Sequence, residues 1–392
     1  MYFSQDLPNA ASALSPPRFA LEADGDGGAV RRLAGRIYRE RRHGRSVVAE
    51  VGCADQAARL RLACERIGIR PDPELAIVAA PWAEAARAAP RPLRIALAGY
   101  GVVGQALAER LAAEPDFEIV VILVRDTKRR RAVAPPCPLT ADRTAFLEAD
   151  ADILIDVLSC EAAGAELSVA TLERGRHVAS ASKRVIAAHG AALSATAKAR
   201  GVSLLHSAAV GGAAPVLETV AAARAHGGVE RVSAVLNGTV NYILDRLHKG
   251  FGFDEALAQA RAAGFAEEDS SSDLSGADAA AKLKLIAGAA FGVDPASVAV
   301  TTETLDTARA DAIRTSRKRW VQLARLTREG ASVSLVPADE AEGLPALPDE
   351  WNVAHVACAD GALLRCTGRG AGGAATAEAI VADLFQIRDS EA

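Results

Sequence analysis

Between Gly264 and Lys282 the chain reads GFAEEDSSSDLSGADAAAK, a short span that gathers acids, turn-forming serines and a single lysine. Ser275 followed three residues later by Asp278 has the spacing of a capping box, which predicts a helix opening there and running to about Phe291. Four residues apart, Asp278 and Lys282 share a face of that helix, and the face continues through Leu285, Ile286 and Ala289. Lys282 thus leaves an apolar stripe. Lost hydration disfavours its ammonium, while a carboxylate one turn earlier restores part of the charge, a combination suited to proton exchange near neutral pH. On these residues alone, an ordinary ion pair with a snorkelling lysine is the commoner explanation, and general acid chemistry the sharper one.

The elements that would position such a group begin near Pro92. PLRIALAGYGVVGQALAERLAAE sets Gly99, Gly101 and Gly104 in G-x-G-x-x-G order between an apolar strand and an amphipathic helix, a context that gives the motif its weight. Gly99 permits the tight turn, Gly101 lets the backbone approach a pyrophosphate, and Gly104 allows close helix packing, with the helix N-terminus facing the phosphates. Val103 lies in the same turn and is counted with the cofactor contacts. The next strand, EIVVILV, ends at Arg125 and Asp126, where an acid usually holds the ribose hydroxyl of NAD. Lys128 to Arg131 follow. Together with Arg125 that basic cluster suits a 2′-phosphate, so NADP is the expected cofactor and Asp126 leaves NAD as the alternative; a merely solvated loop is the competing explanation. The following stretch, ADILIDVLSCEAAGAELSVATLERGRHVASASKRVIA, keeps strand and helix alternating. It ends one strand near Ser159 and the next at Ser180 to Lys183, the edge where doubly wound sheets place ligands.

The run A-x3-G-F-A-x2-D-S-x2-D-L-x-G-x-D-x3-K, from Ala260 to Lys282, resembles the signature of homoserine dehydrogenases, with Ser270 where that family usually has proline. Four further segments agree in order. Ser180 to Lys183 resembles the family's T-A-N-K, with Ser182 for asparagine. HSAAVGGAAPVLETV resembles E-A-S-V-G-G-G-I-P, NGTVNYIL resembles N-G-T-x-N-Y-I-L, and GRGAGGAATAEAIVADL resembles G-x-G-A-G-G-x-P-T-A, with Ala375 for proline. The resemblance implies reversible reduction of L-aspartate 4-semialdehyde to L-homoserine. It makes Lys282 the proton donor, sets Lys183 beside the nicotinamide and the substrate oxygen, and has Asp278 hold Lys282. Glu267 and Asp273 would bind the substrate, as would Gly238 and Thr239, whose plain role is turn and N-cap. Gly264 and Gly372 would line the cofactor. Val210, Gly212 and Ala214 would offer carbonyls to Na+ or K+, although Ser207 stands where a glutamate is usual and so removes a hard anionic ligand. A homodimer or higher homo-oligomer is also implied.

Bulk properties agree with a globular enzyme of small metabolites. The chain has 392 residues, 50% of them hydrophobic and 24% charged, and a net charge of −4, which gives no reason to expect a nucleic-acid partner. Its apolar stretches are too interrupted for a membrane span. Cys53, Cys64, Cys137, Cys160, Cys358 and Cys366 form no C-x-x-C pair and the N-terminus shows no signal segment, so a reduced, cytoplasmic protein is expected.

Ahead of Pro92 the chain is less informative. Met1 to Gly28 lack periodicity and are expected to be partly disordered; residues 29–44 read as a helix, 45–52 as a strand and 55–68 as a second helix, before a Pro-rich linker. AGRIYRERRHGRSVVAEVG resembles the opening of an aspartokinase module. With no lysine before Lys128, kinase activity is not expected. A remnant used as a packing or oligomer surface and an unrelated helical cap are the two explanations. The expected architecture is α/β: a small N-terminal segment (1–90), a Rossmann domain (91–220, completed by 355–392) and an α+β catalytic and dimerisation domain (221–354). No C-terminal regulatory domain is expected after the closing helix. Two other functions compete, a diverged dehydrogenase of another small hydroxy-amino acid and a non-catalytic NADP-binding regulatory paralogue.

Overall fold

Three antiparallel strands, Arg18–Glu22 (β1), Tyr38–His43 (β2) and Ser46–Val51 (β3), pair in the order β1-β3-β2. The computed structural model describes residues 18–22, 38–43, 46–51, 91–266, 268–345, 347, 351–370 and 372–390. One expectation is corrected here. Residues 38–43 form a strand where a helix over 29–44 was expected, while Arg18–Glu22 is a strand within the segment expected to be partly disordered. His43 pairs with Ser46, so only Gly44 and Arg45 separate the strands, and a two-residue link beginning with Gly is itself a hairpin signal. The β-branched run of Val47, Val48 and Val51 supplies a partner that a helical period, read from one segment, does not reveal. The helix expected over 55–68 lies outside the described residues.

From Leu93 the chain builds a parallel sheet. Its strands are Leu93–Ala98 (β4), Phe117–Leu123 (β5), Leu139–Thr140 (β6), Ile153–Asp156 (β7), His177–Ser180 (β8) and Leu204–Leu205 (β9), in the spatial order β6-β5-β4-β7-β8-β9. All adjacent pairs are parallel. Helices Val102–Leu111 (α1), Arg143–Glu148 (α2), Glu161–Glu173 (α3) and Lys183–Arg200 (α4) form the crossovers. Every residue of β7 and β8 is buried, as expected of strands covered on both faces. The order reverses at β4, so the crevice beyond the carboxyl ends of β4 and β7 is the switch point where such sheets take ligands.

A second sheet of six strands follows. Its strands are Val229–Val235 (β10), Val300–Thr302 (β11), Trp320–Leu326 (β12), Ala331–Pro337 (β13), Trp351–Cys358 (β14) and Leu363–Arg369 (β15), ordered β11-β13-β12-β10-β14-β15 and antiparallel except for β11 with β13. Helices Val216–His226 (α5), Gly238–His248 (α6), Phe253–Ala262 (α7), Ser271–Leu274 (α8), Ala277–Phe291 (α9) and Thr307–Ser316 (α10) accompany it. One face meets α5 and α9 through Val232, Ala234, Ala354 and Val356 against Leu283, Leu285, Ile286 and Val220. The closing helix, Gly373–Ser390 (α11), returns to the first domain, where Phe385 meets Phe117 edge-on at 5.0 Å and Glu378 pairs with Arg110 at 2.9 Å. Residues 355–369 therefore belong to the second sheet, and only the closing helix of the expected 355–392 segment completes the cofactor domain.

Candidate active site

Packing decides where α9 aims its polar residues. Leu283, Leu285 and Ile286 are at most 2% exposed, and each such burial contributes about 1.5–3 kcal/mol. Rotating the helix would forfeit all three, so the apolar stripe sets the direction of Asp278 and Lys282. The helix does not begin as a capping box. Gly276, at φ 78°, is its N-cap, and the Ser275 hydroxyl donates back to the Ser272 carbonyl at 3.4 Å. A left-handed residue suits glycine, and this turn frees the Asp278 carboxylate to point away from its own helix end.

That carboxylate, 8% exposed, lies between two lysines. Oδ1 accepts from Lys183 Nζ, which comes from the first residue of α4, and Oδ2 accepts from Lys282 Nζ at 2.9 Å. Lys282 also donates to the Leu236 carbonyl at 2.7 Å and is 12% exposed, whereas the Lys183 side chain is 40% exposed. Burial pushes the Asp278 carboxyl up, but the ammonium of Lys282 and then that of Lys183 outweigh it and hold the group well below the usual carboxylate range. Asp273 behaves oppositely. Its burial raises the carboxyl, opposed by the hydrogen bond from Asn237 and reinforced by nearby Asp278, and the net direction is up.

Asn237 joins the acids to the second sheet. Its Nδ2 donates to Asp273 Oδ1 at 2.8 Å and to Asp278 Oδ2 at 3.4 Å, while its Oδ1 caps α6 by accepting from Val240 N at 2.9 Å. Asn237, not Gly238 or Thr239, is therefore the N-cap. Gly238 is the first helical residue, and the Thr239 hydroxyl donates to the Phe265 carbonyl at 2.5 Å. Glu267 lies outside the described residues. Gly264, at φ 77°, ends the turn after α7.

At the switch point, a Cβ on Gly104 would stand 2.4 Å from the Gly99 carbonyl oxygen, and Gly99 has φ 108°. Both positions require glycine. Gly101 and Val103 lie at the start of α1 with nothing crowding Gly101, which leaves room for a phosphate. Gly372, at φ 104°, leads into α11, whose Gly373 packs so tightly on Val102 that a Cβ would stand 2.8 Å from its side chain. The closing glycine turn thereby meets the dinucleotide turn. Arg125 and Lys128 are exposed beyond β5, where Asp126 Oδ1 accepts from Lys128 N at 2.8 Å. Ser159 is exposed beyond β7, and its carbonyl accepts from Arg184 at 2.5 Å.

Val210, Gly212 and Ala214 are buried in one loop against the end of β15. Ala213 N donates to the Arg369 carbonyl at 2.8 Å, and a Cβ on Gly212 would stand 2.7 Å from the same oxygen. Ser207 N donates to Asp383 Oδ2 at 3.0 Å. Asn352, fully buried, packs its amide over Gly370 beside this loop, and neither amide atom has a hydrogen-bond partner among the described residues. Asn237 and Asn352 escaped the sequence reading. The first was signalled by its place before a helix start, the second by nothing local. Among the described residues no group of three or more His, Cys, Asp or Glu could hold a metal ion, and no helix is long and apolar enough to cross a membrane.

A parallel sheet with a glycine turn at its switch point, facing a buried lysine and carboxylate cluster, defines a dinucleotide-dependent oxidoreductase. Comparison with known proteins narrows the class. Residues 99–207 match the family profile "Homoserine dehydrogenase, NAD binding domain" and residues 215–385 match "Homoserine dehydrogenase". A homoserine dehydrogenase of Corynebacterium glutamicum is 30% identical over 315 residues, which cover 74% of this chain and 70% of that one. The crystal structure of a homoserine dehydrogenase from Thiobacillus denitrificans is similar with a TM-score of 0.70 at 27% identity, over 76% of this chain and 73% of that chain. A putative homoserine dehydrogenase from Archaeoglobus fulgidus gives 0.64 at 28% identity, over 75% and 99%. The chain belongs to the homoserine dehydrogenase family. It is an oxidoreductase that uses a nicotinamide dinucleotide and acts on a small molecule. The family-profile matches begin at residue 99, so they lend no support to an aspartokinase-like origin for residues 1–90.

Proposed function

We propose that Lys282 exchanges the proton with the substrate oxygen, with Lys183 holding that oxygen in place, during interconversion of L-aspartate 4-semialdehyde and L-homoserine. The observation that carries this reading is the single carboxylate of Asp278 bonded to both lysines. It keeps two ammonium groups together at the edge of the cofactor crevice, where they can face a developing alkoxide. A bound nicotinamide dinucleotide supplies the hydride. Asp273, with Glu267, takes the substrate ammonium, and the Gly238–Thr239 turn takes the rest of the amino-acid group.

NADP is the preferred cofactor in this reading, supported by exposed Arg125 and Lys128 beyond β5, and NAD is the weaker alternative. Val210, Gly212 and Ala214 hold Na+ or K+; the unpartnered amide of Asn352 beside their loop offers a neutral oxygen of the kind such an ion takes. The enzyme works in the cytoplasm as a homodimer or higher homo-oligomer.

The test is the initial rate of NADP+ and NAD+ reduction by L-homoserine for the wild type, Lys282→Ala and Lys183→Ala. Loss of kcat by about 100-fold or more is expected for Lys282→Ala. Retained kcat in Lys282→Ala together with loss in Lys183→Ala would exchange the two roles.

A further inference from the structure

We propose that Asp156 is a positioning residue for Lys183 and acts through Ser180. Asp156 ends β7, is fully buried, and among the described residues has no lysine or arginine bonded to it. Its Oδ1 accepts from Leu158 N at 3.0 Å, and its Oδ2 accepts from the Ser180 hydroxyl at 2.9 Å. Ser180 Oγ in turn accepts from Ser182 N at 3.1 Å, and Ser182 is the residue that caps α4 immediately before Lys183. A continuous chain of hydrogen bonds thus runs from a buried carboxylate to the residue before Lys183. Oriented groups of this kind fix the partner they hold, and their loss is commonly felt by the group at the end of the chain.

The surroundings preserve the carboxylate's place. A Cβ on Gly164 in α3 would stand 2.8 Å from Asp156 Oδ2, so the helix approaches closely because it has glycine there. The Asp156 carbonyl accepts from Ala181 N at 2.9 Å, and Val157 N donates to Ala98 at 3.0 Å, one residue before the dinucleotide turn. Asp156 therefore ties the turn after β7 to the turn after β8. A buried carboxylate held by neutral donors alone is costly, and a hydrocarbon of the same size would be the cheaper filler if packing were its task.

The inference rests on the reading of Lys183 given above, so the experiment separates the two. Chain lysines are reductively methylated with 13C, and the Lys183 signal is assigned by Lys183→Arg, a tractable task with only seven lysines. Spectra and kinetics are then compared for the wild type, Ser180→Ala, Ser180→Thr and Asp156→Asn, with thermal melts as a check on folding. Ser180→Ala and Asp156→Asn should move the Lys183 signal, leave that of Lys282 in place, and lower kcat about 10-fold or more with little change in KM, the scale at which supporting residues commonly act. Ser180→Thr, which keeps the hydroxyl, should restore both. A moved Lys183 signal with unchanged kcat would uphold the positioning role and overturn the catalytic reading of Lys183. An unmoved signal in folded Ser180→Ala, or failure of Ser180→Thr to restore it, would overturn the proposal.

Discussion

Lys183 and Asp278 form an ion pair between the carboxyl edge of the parallel sheet and the first turn of α9, 95 residues apart in sequence. One member arrives with the cofactor domain and the other with the helix that carries Lys282. The contact makes a single site from two elements that each read, in isolation, as ordinary.

Asp278→Asn removes the one anion shared by two ammonium groups. Breaking a fully buried pair costs about 3–5 kcal/mol, and the 40% exposure of Lys183 reduces this to about 2 kcal/mol. The folded-state carboxyl lies below the ordinary value of 3.8. Its contribution is therefore present above pH 3.8 and is lost as pH falls toward the folded value. Melts recorded from pH 6 downward should show the wild type losing more stability in acid than Asp278→Asn, and parallel curves would contradict the assignment.

Asp273 carries the opposite sign. Its folded-state carboxyl lies above 3.8, so the charged form opposes folding near neutral pH and the penalty is relieved as pH falls through the raised value. Asp273→Asn keeps an acceptor for Asn237 while removing the charge. The variant should melt at a temperature equal to or roughly 2 °C above the wild type, yet show KM for L-homoserine raised about 10-fold. A lower melting temperature with unchanged KM would count against a substrate-binding role.

Gly104→Ala tests the dinucleotide turn. The new Cβ would meet backbone at Gly99, and such overpacking costs about 1–3 kcal/mol because no flexible side chain can give way. Titration of NADPH by its fluorescence should show loss of affinity larger than the loss of stability in a thermal melt. Gly101→Ala, with open space at its Cβ, should keep stability and lose affinity alone.

In the proposed reading the choice between cofactors rests on exposed charge. Lys128→Glu should lower kcat/KM for NADP+ about 10-fold relative to NAD+, and the difference should shrink at high salt because exposed charges are screened. Equal effects on both cofactors would remove Lys128 from the 2′-phosphate contact.

The strand and helix alternation from Leu93 to Arg200, the glycine turn at Gly99–Gly104 and the shared face of Asp278 and Lys282 were determined by local sequence, because side-chain periodicity and backbone sterics act over a few residues. Local pattern was silent on what faces that pair, and only the family resemblance set Lys183 near the same substrate oxygen. Whether Lys183 meets Asp278, whether Asn237 bridges two acids, and whether residues 355–369 join the second sheet depend on contacts across 36 to 95 residues or on strand pairing. Such contacts are set by which apolar surfaces bury against one another. The false capping box at Ser275 shows the same division. The spacing was right, but the Gly276 turn and the pull of two ammonium groups took Asp278 away from its own helix end and made it the centre of the site.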